Sequence, residues 1–189
     1  MVEVSPPFIK YCFDVLVAHL SGREAPKAPA EIPSVDACLF VTYNKKGRLA
    51  GCKGITGGPR PLAETLAYFA VESAVNDTRF RPLKLRDVNS DLSCGVSVLH
   101  SFEDIESAFD WQLDRHGITI EFRASGRRFH ATYLPGVAQQ QGWSVRETLE
   151  SLIRKAGFDG EIDDKLLSQL KSTRYQSSKL ELGFDDVNA

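Results

Sequence analysis

Ala37-Cys38-Leu39-Phe40-Val41-Thr42-Tyr43, then Asn44-Lys45-Lys46-Gly47, then Arg48-Leu49-Ala50-Gly51-Cys52-Lys53-Gly54-Ile55 is the stretch that decides the fold. The first seven residues are rich in strand formers, the next four carry turn chemistry, and the last eight return. The stretch therefore reads as a β-hairpin, and a hairpin commits the neighbouring sheet to antiparallel pairing.

C-terminal to the hairpin, Thr56-Gly57-Gly58-Pro59-Arg60-Pro61 reads as a loop because glycines and prolines dominate it. Leu62 to Val75 follows as a helix with Leu62, Leu66, Phe69, Ala70 and Ser73 along one face, ending near Asn76-Asp77. N-terminal to the hairpin, Pro26, Pro29 and Pro33 exclude a helix or a central strand and leave an exposed connection over 23–36. Before it, Phe8, Ile9, Cys12, Phe13, Leu16, Val17 and Leu20 fall at helical spacing, with Ser5 and Pro6 as start signals and Gly22 as the stop.

Further along, Ser93 to Leu99 alternates Cys94, Val96 and Val98 with small or polar residues, as a half-buried strand does. Ile118 to Arg123 and Arg127 to Tyr133 flank Ala124-Ser125-Gly126 and read as a second hairpin. Ser144 and Glu147 have capping-box spacing, so Ser144 to Ala156 is a helix closed by Gly157. A short helix near Asp163 to Lys171 and a strand near Lys179 to Phe184 complete the order. Hairpins and separate helices, without regular βαβ alternation, give an α+β class with a mainly antiparallel sheet flanked by helices.

The 189 residues suit one domain with a real core. A small second lobe could be split off, but no linker marks it. Lys and Arg number 23 against 25 Asp and Glu, a net charge of −2, which argues against capture of nucleic acid by a general basic field. No apolar run approaches the roughly 18 residues of a membrane span, and the acid and two prolines of the N-terminus are wrong for a signal peptide. Cys12, Cys38, Cys52 and Cys94 are widely spaced, with no Cys-x-x-Cys and no histidine at metal-ligand spacing. Reduced thiols, a cytoplasmic or nuclear address, and no metal or cofactor are expected.

Cys52, between Gly51 and Gly54 just behind the turn, is the leading chemical candidate. The glycines would let the backbone adopt positive φ and approach a ligand closely. Lys53 should point to the opposite strand face. Packing is the plainer role for a single cysteine. Gly51 to Gly58 lacks the order of a P-loop or a dinucleotide fingerprint, although the helix near Leu62 offers amide groups to an anion.

In Asp77-Thr78-Arg79-Phe80 the aspartate can turn the chain, and the arginine can pair with an acid or grip an anion. The structural ion pair is the default. His116 before Gly117 is a candidate acid or base, while His19, His100 and His130 read as structural. Trp143 can staple the helix that follows it.

Taken in order, Leu-x-Gly-Cys-x-Gly at Leu49 to Gly54, Asp-x-Arg-Phe at Asp77 to Phe80, His116-Gly117-Ile118, Ala131-Thr132-Tyr133-Leu134-Pro135 and Gln141-Gly142-Trp143 resemble the AMMECR family, over about residues 39–182. The resemblance implies an α+β fold, sometimes described as two unequal lobes, and a groove lined by the recurring residues. It makes Gly51, Gly54, Arg79 and Phe80 candidate ligand contacts and Cys52 and His116 candidate catalytic groups. It also implies association with Memo-like and radical-SAM pathway proteins. The family's Leu-Arg-Gly-Cys-Ile-Gly reads Ala50 for the arginine and Lys53 for the isoleucine here, and its Leu-Pro-Glu-Val reads Leu134-Pro135-Gly136-Val137. Two functions stay open: a binding or regulatory module for a partner protein, peptide or small anion, or a thiol-dependent enzyme with Cys52 as nucleophile.

Overall fold

A computed structural model describes residues 2–188. Its elements run α1 (Pro6–Leu20), β1 (Asp36–Lys45), β2 (Arg48–Pro61), α2 (Leu62–Val75), a 3-10 turn (Leu85–Asp87), β3 (Leu92–Ile105), β4 (Gly117–Ala124), β5 (Arg127–Tyr133), α3 (Val137–Gln141), α4 (Val145–Lys155), α5 (Asp164–Ser168), β6 (Lys171–Gly183) and α6 (Phe184–Asn188). The strand order is β2-β1-β3-β6-β4-β5. The pairings of β1 with β2 and β3, and of β4 with β5 and β6, are antiparallel. The protein is α+β, as the hairpins require.

Two compact units divide the chain: one from the N-terminus to Leu99 together with the segment from Ser178 onward, and one from His100 to Ser177. In the first, α1 and α2 supply apolar stripes to the hairpin. Phe8, Ile9, Cys12, Phe13 and Leu16 of α1 are sealed, with Leu39, Val41 and Tyr43 of β1 and Leu62, Leu66 and Ala70 of α2 in the same core. Phe13 packs edge-on against Tyr43 and Phe184, at ring separations of 6.1 and 5.3 Å. Pro6 opens α1 as expected, but the Ser5 side chain makes no capping bond, and Gly22 follows the helix at φ +65°.

The second unit packs α4 on the β4–β5 hairpin through Ile118, Ile120, Phe122 and Phe129 against Leu149, Leu152 and Ile153. Its capping box forms as the sequence predicts: Ser144 Oγ accepts from the Glu147 amide, and the Glu147 carboxylate accepts from the Ser144 amide. Trp143, just before the box, meets the Tyr133 ring at 5.8 Å.

The loop expected at Thr56 to Pro61 is strand. Asp36 pairs with Pro61 and Ala37 with Arg60, past an irregularity in the register. β2 stands at one end of the strand order, where a proline's missing amide removes no bond from a neighbour. β3 and β6 are likewise longer than their apolar signals, reaching Ile105 and starting at Lys171.

Candidate functional site

Cys52 lies on β2 opposite Thr42 of β1, whose hydroxyl donates to Cys52 Sγ at 3.2 Å. The chain reverses after α2, and the turn of Asp77 to Phe80, closed by the Phe80 amide on the Asp77 carbonyl at 3.0 Å, comes up against the outer edge of β2. There Asp77 Oδ2 accepts the Cys52 amide at 2.9 Å, and Arg79 Nη2 donates to the Cys52 carbonyl at 2.9 Å. Arg79 also grips Asp77 through Nε at 2.9 Å and Nη2 at 2.6 Å. Both backbone groups of the cysteine are thus held by one ion pair, as a further strand would hold them.

Asp77 is 7% exposed, so its charge persists only because it is paired. The Arg79 hydrogen bonds hold its carboxyl well below the usual carboxylate range, burial opposes them, and the amides of Cys52 and Arg79 add to the effect. The Arg79 side chain remains 58% exposed, with its guanidinium 5.2 Å from the centre of the Phe80 ring. The ion pair expected of Arg79 forms with the acid two residues before it.

On the α2 side, the fully buried Ser73 hydroxyl accepts the Lys53 amide at 3.0 Å and donates to the Val41 carbonyl at 2.8 Å. A helix side chain thereby bridges β1 and β2. Lys53 Nζ pairs with Glu72 at 2.9 Å and reaches the Asn76 carbonyl at 3.1 Å. The hydrogen bonds of Lys53 and Asn76 lower the Glu72 carboxyl from its ordinary value.

The flanking glycines do something other than expected. Neither Gly51 nor Gly54 has positive φ. A Cβ at Gly51 would fall on the Ser73 carbonyl oxygen, and one at Gly54 would fall on the Leu39 carbonyl and the Phe40 ring. Their bare backbones admit the protein's own helix and strand, so neither glycine is positioned by φ to cradle a ligand.

A recess of about 230 Å³ opens between the start of β2 and the turn that follows α2. Leu49 and Ala50 of β2 form one wall, Phe80, Pro82 and Leu83 the other, with Lys45 and Arg81 at its rim. Leu49 is 45% exposed, and Arg81, Lys84 and Arg86 are exposed along the same turn.

His116 belongs to the second unit, with partners of its own. It is buried, and Nδ1 accepts the Gln112 amide at 3.1 Å. Burial first, then the nearby charges of Arg174 and Arg115, push its pKa down. Gly117 beside it is spatially required, since a Cβ there would meet the Tyr175 ring at 2.6 Å. Cys52, Arg79 and Phe80 come together in the first unit, and His116 belongs to the second.

Two members of the cluster, Thr42 and Ser73, escaped the sequence reading as functional positions. The signal available for Ser73 was a hydroxyl residue on the apolar stripe of α2. Among the described residues, no group of three His, Cys, Asp or Glu side chains is placed to hold a metal ion. Among the same residues, no helix is long and apolar enough to cross a membrane.

The family model described as AMMECR1 matches residues 9–180. An uncharacterised protein of Arabidopsis thaliana is 37% identical over 193 aligned residues, covering 98% of this chain and 88% of the relative. An uncharacterised protein of Schizosaccharomyces pombe is 42% identical over 178, covering 92% and 89%. The crystal structure of an uncharacterised protein from Pyrococcus horikoshii superposes with a TM-score of 0.79 at 26% identity, covering 92% of this chain and 89% of that one.

Proposed function

The chain belongs to the AMMECR1 family, and from that premise we propose that it is a binding module whose recess between β2 and the turn after α2 takes a short segment of a partner protein. The observation that carries this reading is the Asp77–Arg79 clamp. It fixes the Cys52 peptide on both sides, leaves the Arg79 side chain more than half exposed, and leads directly into Phe80 to Leu83, which wall a largely apolar recess. The walls of Leu49, Ala50, Phe80, Pro82 and Leu83 suit an apolar side chain. Arg81 in the lining suits an adjacent carboxylate, since the lining acid Asp87 is already paired with Lys45. The fitting partner segment therefore places Asp or Glu next to Leu or Phe. Segments from Memo-like or radical-SAM pathway proteins, the partners that the resemblance implies, are the first to try.

The test is fluorescence polarisation with labelled acidic-apolar peptides. Micromolar binding is expected, weakened roughly tenfold or more by Arg81→Glu, since a charge-assisted contact is lost and a repulsion added. Cys52→Ala should leave the affinity nearly unchanged, because the clamp holds backbone rather than sulfur. Equal affinity for Arg81→Glu and the parent protein would refute the reading.

A second reading has one observation in its favour. Cys12, Cys38 and Cys94 are buried, whereas Cys52 is half-buried with the Arg79 charge close by. On that reading Cys52 is a nucleophile. A covalent adduct on Cys52 with a thioester or other acyl donor, lost in Cys52→Ser, would support it, and an unmodified Cys52 would set it aside.

A further inference from the structure

The second unit carries a cavity of about 260 Å³ whose polar lining has no role in the recess reading. At its floor, His116 is 7% exposed. Its Nδ1 is taken up by the Gln112 amide, so the neutral ring carries its proton on Nε2. Ser172 Oγ is the one buried side-chain polar atom without a partner among the described residues. His116 Nε2 is therefore not sealed, and it opens as a donor into the cavity that the residue lines.

Charges of both signs surround that donor, with Arg174 and Arg115 acting on His116 against Glu103 and Asp114. Arg174 is held by two carboxylates, Glu103 at 2.6 Å and Asp110 at 3.3 Å, and Glu103 is the closer of the two. Arg115 donates to the neutral Gln176 amide oxygen at 3.2 Å and makes no ion pair among the described residues, so its guanidinium is available to an anionic group. Asp110 is 69% exposed and sits at the mouth, able to turn from Arg174 to a ligand. The cavity is smaller than the roughly 300–1,000 Å³ of pockets for drug-sized ligands, so it suits a small metabolite.

From this geometry we infer that the cavity binds a free amino acid. The carboxylate lies between Arg115 and the Nε2–H of His116, and the ammonium lies at Asp110. A simple anion would engage only the Arg115 and His116 donors, whereas a zwitterion engages those donors and the Asp110 carboxylate together. The indole of Trp111, fixed by its Nε1–H on the Ala108 carbonyl at 3.0 Å, gives the site a rigid wall.

The experiment is calorimetric titration of the intact protein with serine, glutamine and glutamate, each also as its N-acetyl and its carboxamide form. At least one free amino acid is expected to bind, with both blocked forms weaker by roughly tenfold or more, the worth of one charge-assisted contact. Arg115→Leu, an exposed position whose loss should not unfold the chain, is expected to reduce binding by a similar factor. Asp110→Asn should weaken the free amino acid while leaving its N-acetyl form unchanged. Arg81→Glu, in the other unit, should change nothing. Absence of binding by all three amino acids at millimolar concentration would overturn the proposal. So would equal binding of free and N-acetyl forms, which would reduce the site to a plain anion site. Loss of affinity in Arg81→Glu would trace the signal to the recess instead.

Discussion

Replacing Asp77 with asparagine keeps the side chain's size and removes the charge that organises the β2 edge. The carboxylate accepts the Cys52 amide at 2.9 Å, the Arg79 amide at 3.3 Å and two bonds from the Arg79 guanidinium while only 7% exposed. A hydrogen bond to a charged, buried acceptor contributes about 1.5–3 kcal/mol. The Arg79 share must be discounted, because the guanidinium is 58% exposed and largely solvated without its partner. The expected loss for Asp77→Asn is therefore about 2–3 kcal/mol at pH 7.

The pH dependence has a definite sign. The carboxyl is held below its usual range in the folded state. Its contribution is then complete above the unfolded value of roughly 4, and it fades as pH falls from there toward the folded value. Urea melts of parent and variant should show the full gap at pH 7 and at pH 5, and a narrowing gap below about pH 4. Hydrogen exchange of the Cys52 amide should quicken in the variant at neutral pH. A gap under about 0.5 kcal/mol at pH 7, or one unchanged down to pH 3, would refute the assignment of the clamp to Asp77.

Gly51→Ala forces a Cβ onto the Ser73 carbonyl and should destabilise by about 3 kcal/mol or more, whereas Gly57→Ala, with open space around it, should stay within about 0.5 kcal/mol in the same melts. In the native protein, iodoacetamide should modify Cys52 before the buried Cys12, Cys38 and Cys94, as followed by peptide mass spectrometry; simultaneous labelling of all four would contradict the burial pattern. Ser144→Ala removes the capping box of α4 and should cost about 1 kcal/mol in thermal or urea unfolding, with Glu147→Gln costing less.

The hairpin around Cys52 was legible because its residues state strand, turn and strand in sequence, and α4 was legible because its cap is local. What escaped depends on partners remote in sequence. Thr56 to Pro61 carries every sign of a loop, yet an end strand uses only one row of its backbone groups, so glycine and proline do not disqualify it. The first half of β6, Lys171 to Ser178, is mostly polar and becomes strand through β4, where Tyr175 pairs with Gly117. At the site, the glycines singled out Cys52, and Asp-x-Arg-Phe singled out the clamp. Their meeting depends on the reversal after α2, which no local pattern encodes. Gly51 and Gly54 were noticed for the freedom of their backbones, but the structure uses the space their missing side chains leave.

The Ser73 bridge also bears on how the hairpin finds its alignment. A slide of β2 by two residues would keep every side chain on its correct face, so alternation alone does not forbid it. Such a slide would bring Leu49 or Lys53 under the end of α2, and either side chain would collide with the carbonyl that Gly51 accommodates. The helix therefore works as a gauge that accepts one position of the strand, and the glycine before Cys52 is the mark it reads. Strand pairing and helix docking then become a single event, and a chain that has lost α2 should show a hairpin that wanders between alignments.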